Sequence, residues 1–372
     1  MHWLNKGLIL SFYCRLRMFG KAKKEVDREV NFVKALRSNS VNLAGVTDEF
    51  LKYNDKISEK LCNSVAKSTG DRYYVEFQKF SKFCVENNVP ALPSDPEVIN
   101  TYFCKLAEES NSVNTVNNAR SAIRHYNLIY RPDLESPTDR VDVVMVNSSL
   151  KREFGKPVNK RPGVSKEIVD SLITKTLKGE QLKDKGFTVF IKDWCIVALT
   201  TVMFFAFARY EECAALKKSH FKVLENGDLE ITFLKAKNNQ FHDAKTTVIA
   251  AKGGLLCPVN VIMKFFKVVN SNLDHYFLPK FSGNSVFLLE ESCYIVCLTH
   301  FRKLLKNCGV QNANEFGLHS AKIGGVSEAG DAGCSTEQIQ LHGRWNSSQM
   351  PLIYQKRSVS RKRKVAEMLN NL

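Results

Sequence analysis

The sequence predicts a mainly α-helical protein of two domains, with a small β-hairpin or sheet in the second. Three observations lead to this prediction. The chain has 372 residues, apolar residues recur at helical spacing through most of it, and two short segments with the pattern of β-strands flank a polar turn. Domains usually contain about 100–200 residues, so a chain of this length is expected to hold two. The composition, 44% hydrophobic and 25% charged, is that of a globular protein.

Residues 61–155 are predicted to form a small all-helical domain. In its first helix, Tyr73, Phe77, Phe80 and Cys84 follow at helical spacing and mark one buried face. Residues of the type that caps helices precede the first two predicted helices. The four helices of this domain are expected to begin near Ser68, Asp95, Ser112 and Asp142. Residues 1–60 show no firm period and are treated as an N-terminal extension without an assigned role.

A basic segment, residues 156–164, is predicted to link the two domains. Proline and glycine interrupt regular structure there, at Pro157, Pro162 and Gly163. Its lysines and arginine are consistent with a segment that follows a phosphate backbone. A solvated connector explains the same residues equally well.

The second domain is predicted to cover residues 165–372. Trp194 to Phe207 is strongly apolar and indicates a buried helix. Leu229 to Phe233 alternates like a strand, and Thr246 to Ala250 is a returning strand after a polar turn, which together predict a β-hairpin. Helices are expected to dominate after Cys257.

The formal net charge of +16 points to a polyanionic partner: nucleic acid, an anionic membrane or an acidic protein. A basic protein without such a partner is the alternative. No apolar run reaches the roughly 20 residues that span a bilayer, so no membrane-spanning helix is expected. Of the three polyanions, nucleic acid is the expected partner and a membrane is not. The 11 cysteines are scattered without a disulfide or zinc spacing, which indicates free thiols in a reducing compartment.

Four segments carry residues suited to chemistry on a phosphate. They are Phe207-Ala-Arg209-Tyr-Glu211, Lys235-Ala-Lys237 in the predicted hairpin, His319-Ser-Ala-Lys322-Ile-Gly-Gly325, and His342-Gly-Arg344-Trp345 followed by Tyr354. Each segment has an ordinary structural explanation when it is taken alone. Arg209 beside Glu211, for example, is typical of an ion pair. The order arginine, lysine, His-x-x-basic, tryptophan, tyrosine is far more specific.

In this order the chain resembles the tyrosine recombinases, the phage-integrase family, from about Leu61 to Arg361. It is most similar to the recombinases of DIRS-type retrotransposons, which carry a phrase like His342-Gly-Arg-Trp345. The resemblance implies a helical DNA-clamping domain followed by an α+β catalytic domain that breaks and rejoins DNA. It also implies double-stranded DNA as the partner and a homo-oligomer, a tetramer on two duplexes, as the working unit.

The resemblance assigns a role to each matching residue. Tyr354 corresponds to the nucleophile that forms a 3′-phosphotyrosyl bond, and Arg209 to the first phosphate-binding arginine. Lys237 corresponds to the general acid, with Lys235 as the alternative because the hairpin register is open. His319 matches the histidine of the His-x-x-Arg motif, and Trp345 a position that is histidine or tryptophan. This chemistry uses neither a metal nor another cofactor.

The sequence departs from the family at Lys322, where the second arginine is expected. Lysine keeps the positive charge but lacks the planar fork that holds two phosphate oxygens. We therefore expect a weakened recombinase, or a DNA-binding protein of the same fold that no longer cleaves. Lys322 is also explained as a lesion in an inactive element copy. Pro351 falls in the first turn of the helix that presents Tyr354, where it could bend that segment.

Further residues are expected to contact DNA or to direct the protein. Arg361-Lys-Arg-Lys364 resembles a nuclear-import cluster, so a nuclear location is expected, although a phosphate contact explains it as well. An RNA-binding or protein-interaction role is the more distant alternative. The predicted DNA-contacting residues are Asn117, Arg120 and Arg124 on the third helix, and Lys151, Arg152, Lys156 and Lys160 around the linker.

Overall fold

The computed structural model describes residues 24–37, 47–157, 161–180, 187–234 and 244–355, together with Arg363 and Glu367. The chain divides into two compact units between Val158 and Asn159, inside the segment that the sequence predicts as a linker. The site residues Lys160, Lys235 and Lys237 lie outside the described residues, as does most of the basic cluster 361–364.

The first unit is helical in its described part. The four helices predicted for residues 61–155 are confirmed, and two further helices precede them. Asp95 caps one of the helices by accepting the backbone N–H of Glu97 at 2.8 Å, and Pro96 occupies its first turn. The helices are α1 (Lys24–Arg37), α2 (Asp48–Cys62), α3 (Lys67–Glu86), α4 (Pro96–Ser110), α5 (Val113–Tyr130) and α6 (Val141–Glu153), with a 3-10 turn at Pro137–Asp139.

Aromatic rings fill the core of the first unit. Phe77 and Tyr126 lie with ring centres 4.7 Å apart, and Phe32 of α1 packs on Tyr126 at 5.3 Å. Val33 is fully buried, and the Tyr126 hydroxyl lies 3.0 Å from a carboxylate oxygen of Glu29. Helix α1 is therefore part of this core. It lies in the N-terminal extension, residues 1–60, to which no role was assigned from the sequence.

The second unit is built around one apolar helix, α8. From Trp194 to Met203 this helix is buried on all sides, and its residues there are apolar apart from Thr200 and Thr201. The helix begins seven residues before the predicted Trp194, and several of the side chains described in this first part are more exposed. It packs against α7, α10, α11 and α12. The helices of this unit are α7 (Lys166–Glu180), α8 (Phe187–Phe205), α9 (Tyr210–Ala214), α10 (Pro258–Val269), α11 (Tyr294–Asn307), α12 (His319–Asp331), α13 (Thr336–His342) and α14 (Gln349–Gln355), with 3-10 turns at Lys218–His220 and Ala313–Glu315.

Two small antiparallel sheets complete the second unit. The predicted hairpin is confirmed as β2 (Leu229–Phe233) and β3 (Lys245–Ile249), with Phe233 opposite Lys245, and β1 (Phe221–Val223) joins them in a three-stranded sheet. The prediction that helices dominate after Cys257 was incomplete, because β4 (Pro279–Ser282) and β5 (Ser285–Glu291) form a second hairpin. Strand β5 is exposed or half-exposed along its whole length, so it lacks a strong apolar alternation.

The described helices include none that is both long enough and apolar enough to cross a bilayer. Of the ten cysteines in the described part, six are buried, and all ten are free thiols.

Candidate active site

The predicted catalytic residues that the structure describes, Arg209, His319, Lys322, Trp345 and Tyr354, lie where α12, α13 and α14 pack against the segment that follows α8. Lys237 and its alternative Lys235 are not among the described residues. A small apolar cluster, separate from the main core of the second unit, forms the body of this region. The cluster consists of Phe207, Ile323, Val326, Ile339, Trp345 and Tyr354. Two of the predicted site residues, Trp345 and Tyr354, are therefore held by apolar packing.

The paired glycines after Lys322 explain how α12 comes so close to its neighbours. A Cβ atom at Gly324 would overlap the carbonyl oxygen of Val164, and one at Gly325 would overlap that of Phe204. Only glycine allows both approaches. The result is that the first two turns of α12, with His319 and Lys322, lie directly beside the end of α8.

Tyr354 is presented by α14 and is only 5% exposed. Its phenol oxygen Oη lies 3.0 Å from Nε2 of His319, and its ring stacks on Trp345 at 5.7 Å with an interplanar angle of 22°. Pro351 is the third residue of α14, in the first turn, where a missing N–H leaves no helix hydrogen bond unmade. The proline is therefore compatible with the helix that presents the tyrosine.

Arg209 follows α8 and is anchored by Glu212, a residue that the sequence analysis missed. The Arg209 side chain donates from Nη1 to Oε1 of Glu212 at 2.8 Å, and its backbone N–H donates to Oε2 at 2.8 Å. The ion-pair partner is thus Glu212, three residues on, and not Glu211. The spacing from i to i+3 at the start of a helix was the available signal for this contact.

The Glu212 carboxylate is almost completely buried but is held in its charged form. Burial alone would raise its pKa, but the positive charge of Lys322 and the hydrogen bond from the Arg209 backbone outweigh it. The guanidinium groups of Arg344 and Arg209 act in the same direction, so the pKa of Glu212 lies below its ordinary value.

Lys322 is completely buried, and its ammonium nitrogen Nζ lies 4.7 Å above the centre of the Trp345 ring. Burial lowers the pKa of Lys322 to about 7; Glu212 opposes this shift, and Arg209 and Arg344 add to it. Among the described residues, neither Nζ of Lys322 nor the indole Nε1 of Trp345 has a hydrogen-bond acceptor. Two buried donors near Tyr354 therefore lack an acceptor within the described protein.

Arg344 is a second site residue that was not predicted from the sequence, although it lies within the motif His342-Gly-Arg-Trp345. Its side chain is 5% exposed, and Nη2 lies 3.5 Å from Oε2 of Glu212. Nη1 donates to the carbonyl of Ala206 at 2.9 Å and to the Thr247 hydroxyl. Glu212 is thus shared between Arg209 and Arg344.

The predicted DNA-contacting arginines of α5 have partners inside the first unit. Arg124 donates to Asp139 at 2.8 Å, and Arg120 donates to Asp139 and to the carbonyl of Thr138. Asn117, an exposed residue, accepts a hydrogen bond from Asn147 at 3.3 Å. Lys151, Arg152 and Lys156 are exposed. Base or phosphate contacts by these residues remain a prediction.

No protein-family model matches the chain, and no curated protein matches it. Among solved structures, the XerH site-specific recombinase bound to palindromic difH substrate, a post-cleavage complex, is 14% identical with a TM-score of 0.58, and the match covers 94% of this chain and 98% of that one. The pre-cleavage XerH complex is 13% identical with a TM-score of 0.52, covering 93% and 97%. A Tn1549 transposon integrase in complex with transposon right end DNA is 11% identical with a TM-score of 0.50, covering 91% and 98%.

At such identities the likeness concerns the fold. The mainly helical architecture with small antiparallel sheets corresponds to these structures over more than nine-tenths of the chain. This protein has the fold of the tyrosine recombinases.

Proposed function

We propose that this protein is a site-specific DNA recombinase of the tyrosine type, which cleaves and rejoins double-stranded DNA through Tyr354. The observation that carries the proposal is the pair of buried donors, Lys322 Nζ and Trp345 Nε1, that lack an acceptor beside the tyrosine. Leaving a buried donor unsatisfied costs about 1–3 kcal/mol. An anionic ligand placed against both groups would remove that cost.

The charge of the site favours a phosphodiester as that ligand. Three cationic side chains, those of Arg209, Lys322 and Arg344, surround the single carboxylate of Glu212. The two arginines outweigh Glu212, so the cluster has a net positive charge even when Lys322 is neutral, and protonation of Lys322 increases it. A phosphodiester carries one negative charge and accepts charge-assisted hydrogen bonds from guanidinium and ammonium groups.

In the proposed reaction, the Tyr354 oxygen attacks the phosphorus atom while His319 Nε2 accepts the phenol proton across the 3.0 Å contact. The bond from phosphorus to the 5′-oxygen breaks, leaving DNA joined to Tyr354 through its 3′-phosphate. By the family resemblance, Lys237 or Lys235 protonates the departing 5′-oxygen. Arg209, Lys322 and Trp345 stabilise the charge on the non-bridging oxygens. Attack by a 5′-hydroxyl on the phosphotyrosine reverses the steps and rejoins the strands.

A second candidate function is supported by Lys322 itself. A buried lysine whose pKa is about 7 carries its charge only part of the time near neutral pH. It also lacks the guanidinium fork, and loss of one well-placed donor costs about 10²–10³ in rate. The alternative is therefore a DNA-binding protein of the same fold in which strand cleavage is very slow or absent.

Nicked suicide duplexes made from the DNA that flanks the coding region test both functions. A recombinase forms a covalent protein–DNA adduct that disappears in Tyr354→Phe. If only Lys322→Arg forms the adduct, the protein is a weakened recombinase. If neither forms it but salt-sensitive duplex binding persists, the DNA-binding alternative holds. Absence of salt-sensitive binding contradicts both functions.

The biological setting is proposed from the sequence resemblance. The likeness to recombinases of DIRS-type retrotransposons supports a mobile-element origin, and the basic cluster Arg361-Lys-Arg-Lys364 supports a nuclear location. Repeats at the ends of the flanking DNA would support the first proposal. A tetramer on two duplexes is the assembly expected for strand exchange, and the mass of the complex with two flanking-end duplexes tests it.

A further inference from the structure

We propose that Arg344 is a positioning residue for the anion site, which fixes Glu212 and, through it, the phosphate-binding side chain of Arg209. The inference rests on the proposed function only in taking Arg209 as a phosphate ligand. Nothing in the family resemblance assigns a role to Arg344. The contacts of its side chain carry the argument.

The surroundings of Arg344 fit a residue that positions its neighbours better than one that binds phosphate directly. Its guanidinium carbon lies 3.9 Å from the centre of the Phe233 ring, so one face of the group is covered. Its hydrogen bonds go to protein acceptors, and the side chain is 5% exposed, against 17% for Arg209. Arg209 is therefore the more accessible of the two guanidinium groups.

Arg344 connects elements that are far apart in the sequence. It bonds the carbonyl of Ala206 after α8, the carboxylate of Glu212 in α9, and the hydroxyl of Thr247 in β3. A lysine has one nitrogen and could not reach these acceptors together, whereas the arginine fork offers several donors in a fixed plane. Position 344 thus requires the shape of arginine as well as its charge.

Glu212 links the position of Arg344 to that of Arg209, because its carboxylate contacts both side chains. One carboxylate oxygen, Oε2, accepts the Arg209 backbone N–H and faces Arg344, and the other, Oε1, accepts Nη1 of Arg209. If Arg344 is removed, Oε2 loses a partner and the carboxylate can rotate. The side chain of Arg209 would then move with it.

The backbone at Arg344 is strained, which agrees with a role at a functional site. Its φ angle is 58°, in the left-handed region that an arginine rarely adopts and that costs about 1–3 kcal/mol. Gly343 permits the turn, because a Cβ atom there would collide with the Trp345 ring. The same turn therefore directs Arg344 toward Glu212 and packs Trp345 beneath Tyr354.

A double-mutant cycle on phosphate binding tests the proposal without requiring DNA cleavage. Wild type, Arg209→Lys, Arg344→Lys and the double variant are melted in increasing inorganic phosphate, with sodium chloride at equal ionic strength as the reference. Ligand binding to the folded state stabilises it by RT ln(1 + c/Kd), where c is the phosphate concentration, so the dependence of the melting temperature on that concentration gives the dissociation constant of each variant. We expect Arg344→Lys to weaken phosphate binding on the order of tenfold, but to add almost nothing in the Arg209→Lys background.

Arg302→Lys is the matched control. Arg302 is a partly buried arginine of α11 that donates to the carbonyl of Phe316 and does not belong to the Glu212 cluster. This variant is expected to lower the melting temperature while leaving phosphate affinity unchanged.

The proposal would be overturned if the losses of phosphate affinity in Arg209→Lys and Arg344→Lys add up in the double variant. An unchanged phosphate affinity in Arg344→Lys would also overturn it. So would a wild-type protein that phosphate does not stabilise beyond chloride. A coupled cycle together with the absence of any covalent DNA adduct would keep the positioning role and refute the recombinase function, so the two can fail separately.

Discussion

The ammonium nitrogen of Lys322 lies 4.7 Å from the centre of the Trp345 ring, in a space that is closed to solvent. A cation over an indole face is attracted to it, but this contact provides no hydrogen-bond acceptor. The residue that departs from the family pattern is therefore buried at the centre of the candidate site.

Replacing Lys322 with arginine is expected to accelerate covalent adduct formation on nicked duplexes by about 10²-fold, because a guanidinium holds two phosphate oxygens at once. The larger side chain must fit a closed space, so the melting temperature should fall, as overpacking costs about 1–3 kcal/mol. Single-turnover adduct formation measures the rate. If folded Lys322→Arg forms the adduct no faster than the wild type, the lysine does not slow cleavage.

DNA affinity is expected to fall as the pH rises through about 7. Burial lowers the pKa of Lys322 to this value, with Arg209 and Arg344 adding to the shift and Glu212 opposing it. Below this pH Lys322 is an ammonium that attracts phosphate, and above it a neutral amine. One such group changes the affinity by at most about tenfold per pH unit.

Duplex titrations between pH 6 and 8.5, in a Tyr354→Phe background that prevents covalent capture, measure this dependence. The titratable groups whose charges act on the pKa of Lys322 are Glu212, Arg209, Arg344 and Cys213. Lys322→Arg, which stays charged, is the control and should show a flatter profile. Identical profiles for the two proteins would remove Lys322 as the titrating group.

Cleavage is expected to occur in cis, with each subunit using its own tyrosine. Tyr354 contacts His319 and Trp345 of the same chain. A mixture of Tyr354→Phe and Arg209→Ala, each inactive alone, should therefore form no adduct. If the mixture regains activity, one subunit donates its tyrosine to the site of another, and the observed contact is not the reactive one.

Gly325→Ala is expected to destabilise the second unit by about 1–3 kcal/mol, because the new methyl group meets the carbonyl of Phe204. This cost exceeds the gain of roughly 0.5–1 kcal/mol that alanine normally brings to a helix interior. Denaturant unfolding measures the difference. Ser327→Ala on the same helix is the control and should change stability by less than about 0.5 kcal/mol. Equal stability of the two variants would contradict the close packing of α12 on α8.

Much of the fold could be predicted from sequence because apolar spacing records which face of an element is buried. Helices α3 to α6 and the hairpin β2–β3 were predicted in this way. The hairpin β4–β5 was missed because its strands are largely exposed, although Gly283-Asn284 between Ser282 and Ser285 offered a turn signal. Helix α1 was missed as part of a core because its partners, such as Tyr126, lie far along the chain.

The candidate site was predictable only where a residue matched an ordered motif. Arg209, His319, Lys322, Trp345 and Tyr354 were named in this way, and the structure brings them together. Glu212 and Arg344 were missed because a single charged residue in a sequence does not reveal its partner. Their importance comes from a contact over 132 positions, which only the folded chain shows.

Trapping the protein on a nicked duplex from the flanking DNA tests most directly whether Tyr354 is the nucleophile. The covalent adduct is digested, and mass spectrometry identifies the modified residue. We predict a nucleotide that is joined through its 3′-phosphate to the peptide containing Tyr354, and no adduct in Tyr354→Phe. An adduct that forms at another residue, or one that persists in Tyr354→Phe, would contradict Tyr354 as the nucleophile.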